Sequence, residues 1–209
     1  MLNALDMKHA DAGLETTKEQ TSICPKPRRL ERVVNVDISR VWAMPSKNTF
    51  NIKPVNELIQ KWVRKGHPSK IIDPFANESC FNQICFATND LSNEYNTTHH
   101  MEALDFLKQF EDSSIGMVLF DPPWTMRQIS ESYKNVGREG HSYDTTSGFY
   151  SQRKKEVARI VKKNGIVICC GYNSGGVGKT LGFELLEVLL VPHGGAHNDS
   201  IITVERKLV

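Results

Sequence analysis

"SIGMVLFDPPW", Ser114 to Trp124, is an apolar run that ends in an acid, two prolines and a tryptophan. An uninterrupted apolar run of strand length, stopped by prolines, predicts a strand buried on both faces, as in the middle of a parallel sheet. Two successive prolines fix the backbone and lack N–H donors, so the Asp121 carboxylate and the proline carbonyls are left as acceptors at the strand end. Trp124 adds a flat apolar face. The set suits a planar ring that presents an amino group to the acceptors and stacks on the indole. A proline turn beside a core tryptophan would use the same residues.

On the N-terminal side, "KPVNELIQKWVRKG" places Val55, Leu58, Ile59 and Trp62 at helical spacing before a glycine stop. Strand-like "KIIDPF", strand-like "QICFATND" and helical "HHMEALDFLKQF" then lead into the central run. On the C-terminal side, a short helix and a glycine-containing loop are expected over "TMRQISESYKNVGREGHSYDTTSGF". The basic helix "YSQRKKEVARIVKKNG" follows, then strand "IVICCGY". Two strand patterns in "FELLEVLLVPHGGAHNDSIITVERK" form a closing hairpin. Strands alternating with helices predict an α/β fold with a mostly parallel, Rossmann-like sheet and a terminal antiparallel hairpin.

A chain of 209 residues suits one such domain and a tail. Residues 1–30 are polar and end in "CPKPRR", which reads as a flexible arm with a basic end; residues 31–209 read as the single domain, without a separate large target-recognition domain. A net charge of +2 and a hydrophobic fraction of 39% fit a soluble globular protein and do not discriminate among partners. No apolar stretch approaches the ~20 residues that span a bilayer, and the N-terminus lacks the apolar core of a secretion signal. The chain therefore reads as cytoplasmic, with no membrane partner. Five cysteines without a C-x-x-C pair give no disulfide framework or zinc site, and "ICC" reads as buried core thiol.

Ligands of open α/β sheets bind at the carboxyl ends of the parallel strands. Asp73, Asp90 and Asp121 stand at three such ends. An acid ending the second strand can accept from both hydroxyls of a ribose, which points to a nucleoside-containing cofactor. Each of the first two acids could equally cap a turn.

Taken together, these residues resemble the S-adenosylmethionine-dependent amino-methyltransferases that act on exocyclic amines of nucleic-acid bases. "DPPW" matches their [DNS]-P-P-[YFW] signature, and "FNIKPVNELIQKWVRKGHPSKIIDPFANES" is similar to their K-P helix and D-P-F-x-G-S-G cofactor loop. The resemblance covers roughly residues 45–209. "TNDLSNEYNTTHHMEALDFLK", "DPPWTMRQISESYK" and "HGGAHNDSIITVE" further resemble a compact phage and prophage adenine-methyltransferase group, which implies a host-cell cytoplasmic setting and a link to restriction-modification.

The resemblance implies a seven-stranded class I methyltransferase fold, S-adenosylmethionine as cofactor and DNA as partner. By it, Asp73, Pro74, Phe75 and Ala76 lie against the cofactor's methionine end, with Thr49 and Phe50. Asp90 binds the ribose, Leu91 packs on the adenine, and Glu102 and Ala103 flank its amino edge. Asp121, Pro122, Pro123 and Trp124 are the catalytic set. Asn77, Glu78 and Ser79 depart from the glycine-rich loop, though Asn77 tolerates the left-handed conformation that would keep the turn.

Substrate-side candidates are Arg127 and Gln128, with Glu131, Lys134 and Arg138 nearby; solvated surface explains such charges as well. His193 and His197 lie in a turn expected on the active-site side, where they could touch substrate or form a hydrogen-bonded turn. No ligand spacing there supports a metal. "GYNSGGVGKT", residues 171–180, has Asn173 where a P-loop needs glycine, and only 29 residues follow it, too few for a nucleotidase core. It reads as a substrate-side wall carrying Tyr172 and Asn173. Lys26 to Arg32, and Arg153, Lys154 and Lys155, are candidates for phosphate contact. A domain this small implies either low sequence specificity or a second subunit or homodimer that supplies it. The alternatives are an amino-methyltransferase of adenine in RNA or of cytosine, and a noncatalytic DNA-binding partner with the same fold.

Overall fold

The computed structural model describes residues 35–137, 146–195 and 197–209. The arm over 1–30, its Lys26–Arg32 cluster and Arg138 lie outside the described residues. The strands are β1 (Asp37–Arg40), β2 (Ile71–Asp73), β3 (Ala87–Thr88), β4 (Ile115–Phe120), β5 (Val161–Gly171), β6 (Phe183–Val191) and β7 (Ser200–Lys207). The α-helices are α1 (Lys53–Gly66), α2 (Ala103–Lys108), α3 (Met126–Asn135) and α4 (Thr146–Ile160).

The strands form one mixed seven-stranded sheet in the order β1-β6-β7-β5-β4-β2-β3. Strand β7 is antiparallel to both of its neighbours, β5 and β6, and the other pairings are parallel. The mostly parallel sheet with a terminal antiparallel hairpin is therefore observed. The hairpin strand β7 inserts between β6 and β5, so the carboxyl ends of β2, β4, β5 and β6 all face one side.

Each central strand buries both faces. Met117 and Leu119, with Ile166, Ile168 and Cys170, pack against Val55, Leu58, Ile59 and Trp62 of α1. Val118 and Phe120, with Val167 and Cys169, pack on the other side against Phe106 and Leu107 of α2 and Val157 and Ile160 of α4. The period-2 alternation of a strand sends adjacent side chains to opposite layers, which is why the neighbouring Cys169 and Cys170 are buried, free and in different cores. The four side chains of α1 contribute about 1.5–3 kcal/mol each by burial.

Several boundaries differ from the sequence expectation. Helix α1 runs through Gly66, and His67 takes the left-handed C-terminal position at φ 39°. Strand β3 is only two residues long, and the Ile84 and Phe86 before it are exposed. Helix α4 begins at Thr146, earlier than its apolar pattern suggests, and ends at Ile160. The following "VKKNG" forms a bulged entry to β5, with Asn164 at φ 64°. Strand β1, parallel to β6, extends the sheet at a place where sequence periodicity alone signals only an apolar segment.

Candidate active site

A cavity of about 800 Å³ opens where the strands end. Asp121, Pro122, Pro123 and Trp124 form one wall directly after β4. Phe75, Ala76 and Asn77 from the turn after β2, with Asp90, form the second. The strap Pro45–Phe50 that precedes α1 and the turn carrying His193, His197 and Asn198 complete it. A narrow apolar cleft of about 80 Å³ adjoins it, sharing Phe75, Asp90, Pro123 and Ser132. Its remaining lining includes Pro74, Leu91, Glu102 and Ala103, together with Ile129 and Tyr133 of α3 and Phe149 of α4.

Most of the residues expected to hold a cofactor thus converge. Asp73 is fully buried behind the β2 turn; one oxygen accepts the Phe75 amide at 2.9 Å, and the other, Oδ2, has no partner among the described residues. Burial pushes its carboxyl well above the usual range, and the nearby charges of Asp121 and Asp90 add to the effect. Asp90 accepts the Asn77 amide at 3.2 Å and the Ser92 amide at 2.9 Å. Burial also raises its pKa against those hydrogen bonds. Asn77 takes φ 49°, the left-handed turn expected of it in place of glycine.

The catalytic candidates are held from several directions. The Trp124 indole Nε1 donates to Asp121 Oδ1 at 3.3 Å. The Trp124 amide donates to Gln128 Oε1 at 2.7 Å. The Tyr150 hydroxyl donates to the Pro123 carbonyl, while among the described residues no hydrogen bond reaches the Pro122 carbonyl. Burial pushes Asp121 up to about 6, with Thr49 and Trp124 acting in the opposite direction. Tyr150 is pushed up as well, chiefly by burial.

The substrate-side candidates separate. Gln128 lines the cavity, but its carbonyl oxygen also closes the capping box of α3 with Thr125. Arg127 projects from the exposed face of α3 and pairs with Glu131 at 2.7 Å. His193 lines the cavity but is buried, with Nδ1 at 2.8 Å from the Ala43 carbonyl and Nε2 at 2.9 Å from Ser200 Oγ. A carbonyl can only accept, so Nδ1 donates to Ala43, and in the neutral ring Nε2 accepts from the Ser200 hydroxyl. The ring therefore ties Ala43, just before the strap, to Ser200 at the start of β7, the hydrogen-bonded alternative raised by the sequence. His197 is exposed at the rim. Tyr172 and Asn173 line a separate cavity of about 130 Å³ with Tyr150 and Lys154, sharing only Pro122 and Trp124 with the main one.

One sequence reading changes with the tertiary contacts, and the rejection of a P-loop gains a physical reason. Arg153 is 3% exposed and pairs with Glu102, with its guanidinium 3.4 Å from the Phe149 ring centroid, so it is no surface phosphate contact. Glycine loop 175–178, which resembles a P-loop, also finds its anion within the chain. The amides of Val177 and Gly178 donate to the Glu205 carboxylate at 2.5 and 2.9 Å, and a Cβ at Gly176 would collide with that carboxylate. Backbone N–H groups that would cradle a phosphate are occupied. Replacing Glu205 with Gln places an amide donor against one of these N–H groups. The expected loss is about 1–3 kcal/mol in urea denaturation; an unchanged midpoint would show that the loop does not depend on this carboxylate.

Sequence patterning did not single out Tyr150, Tyr133, Phe149 or the strap residues Pro45 to Asn48. Tyr133 falls inside the quoted "DPPWTMRQISESYK" string and the others belong to no motif; Tyr150 and Tyr133 reach the site through contacts distant in sequence, to Pro123 and Glu102.

No protein-family model matches the chain, and no curated protein does. Solved structures do match. The 1,6-didemethyltoxoflavin-N1-methyltransferase of Burkholderia thailandensis superposes with a TM-score of 0.50 at 10% identity, covering 75% of this chain and 78% of that one. The chain has the class I methyltransferase fold. The N-methyltransferase NodS of Bradyrhizobium japonicum (TM-score 0.49, 8% identity, 75% and 96% covered) and TrmN of Thermus thermophilus (0.47, 14%, 72% and 48%) are also similar. In this methyltransferase fold, the cavity lies at the strand ends where the topology leaves an open crevice.

Proposed function

We propose that this methyltransferase-fold chain transfers a methyl group from S-adenosylmethionine to the exocyclic 6-amino group of adenine in DNA. The observation that carries the reading is the Asp-Pro-Pro-Trp turn, set as one wall of the strand-end cavity with Asp121 and the Pro122 carbonyl available as acceptors. The residues present fit the cofactor. Asp90 in the lining, backed by the unpartnered Asp73 Oδ2, suits a ligand carrying a sulfonium and an ammonium group. The adjoining apolar cleft between Leu91 and Phe149 suits its adenine ring.

Bound S-adenosylmethionine supplies an electrophilic methyl group. An aromatic amine is a poor nucleophile because its lone pair is delocalised into the ring. Asp121 and the Pro122 carbonyl accept its two hydrogens and draw the nitrogen toward tetrahedral geometry. As the nitrogen takes the methyl group, the methyl–sulfur bond would break with its electron pair on the neutral thioether, and the surplus amine proton would pass to solvent. Trp124 stacks on the base and offsets part of the few kcal/mol needed to take it out of a duplex. Holding the reactants in line is worth about 7–11 kcal/mol. The Asp121 carboxylate is needed in its charged form, so activity should fall as pH drops through about 6.

The direct test is to incubate the protein with methyl-labelled S-adenosylmethionine and unmethylated DNA or RNA, then digest to nucleosides. Labelled N6-methyladenine from DNA is the expected result. Label in RNA alone, in cytosine, or in neither nucleic acid despite measurable cofactor binding would overturn the reading.

A further inference from the structure

The indole of Trp124 does more than offer a stacking face. It stands between the main cavity and the smaller one behind it, and its Nε1 donates to Asp121 Oδ1 at 3.3 Å. Its backbone is fixed on both sides. The Trp124 amide is bonded to Gln128 Oε1, which also caps α3, and the preceding Pro123 carbonyl is held by the Tyr150 hydroxyl from α4. With the backbone held, χ1 and χ2 alone set the indole, and they aim its N–H at Asp121. Among aromatic side chains, phenylalanine has no such donor, and tyrosine carries one only at the far tip of its ring.

Resting on the function proposed above, we infer that the Trp124 indole N–H is a positioning group for Asp121: it holds Oδ1 and leaves Oδ2 as the acceptor for the substrate amine. Asp121 packs where few other donors could hold it. Its titratable neighbours are Asp73 on the β2 end, Tyr150 on α4, and Cys169 and Cys170 on β5, and burial pushes each toward its neutral form. The Thr49 hydroxyl is the other side chain that favours the Asp121 carboxylate. A hydrogen bond to the charged form of an acid lowers its proton affinity, so removing the indole donor has a readable consequence even without turnover.

The test is Trp124→Phe, which keeps an aromatic face and removes the donor, followed by carbon-13 NMR titration of the Asp121 side-chain carboxyl. Wild type is expected to titrate near 6, and the variant about one unit higher. The acid limb of kcat should move upward by the same amount, with kcat reduced about tenfold at its plateau while KM for the cofactor stays unchanged. Benzothienylalanine at position 124 keeps the bicyclic shape without the N–H and should reproduce the shift if Trp124→Phe does not fold. An unmoved Asp121 midpoint in the folded variant overturns the inference, whatever the activity. A moved midpoint in a protein that methylates no nucleic acid supports the positioning role and counts only against the function proposed for the site.

Discussion

Replacing Asp121 with alanine is expected to lower methyl transfer about 10³-fold while leaving the fold and cofactor binding in place. The side chain lines the cavity and contributes little to either packed core. Its loss removes the charged acceptor at the amine, and groups that share a reacting proton typically contribute roughly 10²–10⁴-fold. Asp121→Asn separates charge from geometry. It retains one acceptor oxygen and cannot titrate, so the residual activity should lose the acid limb near 6 expected of the wild type. Near-wild-type transfer by Asp121→Ala, measured with purified folded protein, would remove Asp121 from the mechanism.

Arg153→Met should be the most damaging of the structural changes, costing about 3 kcal/mol. Arg153 is 3% exposed and joins three elements: it bonds Glu102 at the start of α2 and the Phe149 carbonyl within α4, and Glu102 in turn accepts the Tyr133 hydroxyl of α3 at 2.5 Å. Breaking a buried pair from one side leaves the other charge unpaired, for which about 3–5 kcal/mol is usual, and partial exposure of Glu102 places this pair at the low end. For a domain of this size the melting temperature should fall by about 6–12 °C. The double variant Glu102→Gln with Arg153→Met should recover part of the loss. An equal or greater loss in the double variant would argue against the ion pair as the cause.

The same cluster carries a pH signature. Burial raises the Glu102 carboxyl, but Arg153 and the Tyr133 hydroxyl outweigh it, and its net pKa lies below the ordinary glutamate value. A depressed carboxyl stabilises the fold above its unfolded pKa and loses that contribution as pH falls through the folded value. The contribution should therefore be complete above roughly pH 5 and decline at more acidic pH.

Much of the fold was legible because buried strands and amphipathic helices leave a periodic record. The run before Asp121, the α1 pattern and the closing hairpin each depend on nearest-layer burial, which local spacing encodes. Boundaries were less legible. Strand β3 is shortened at the sheet edge, where few neighbours extend the ladder, and β1 has all four residues exposed, so it carries no apolar alternation. At the site, Asp73, Asp90 and Asp121 were visible as acids at strand ends, and the parallel topology gathers such ends on one side.

The amino-acid sequence by itself determined the strand-and-helix order, the two buried layers and the Asp-Pro-Pro-Trp turn, because each follows from local periodicity or from the fixed backbone of proline. Only the tertiary structure decided which polar groups are available. It committed Arg153 to Glu102, His193 to Ala43 and Ser200, and the amides of the glycine loop to Glu205. It also separated Tyr172 from the main cavity and aimed the Trp124 N–H at Asp121. A buried donor or acceptor must find its partner wherever the fold brings one. Those partners lie far away in sequence, where spacing and composition carry no trace of them.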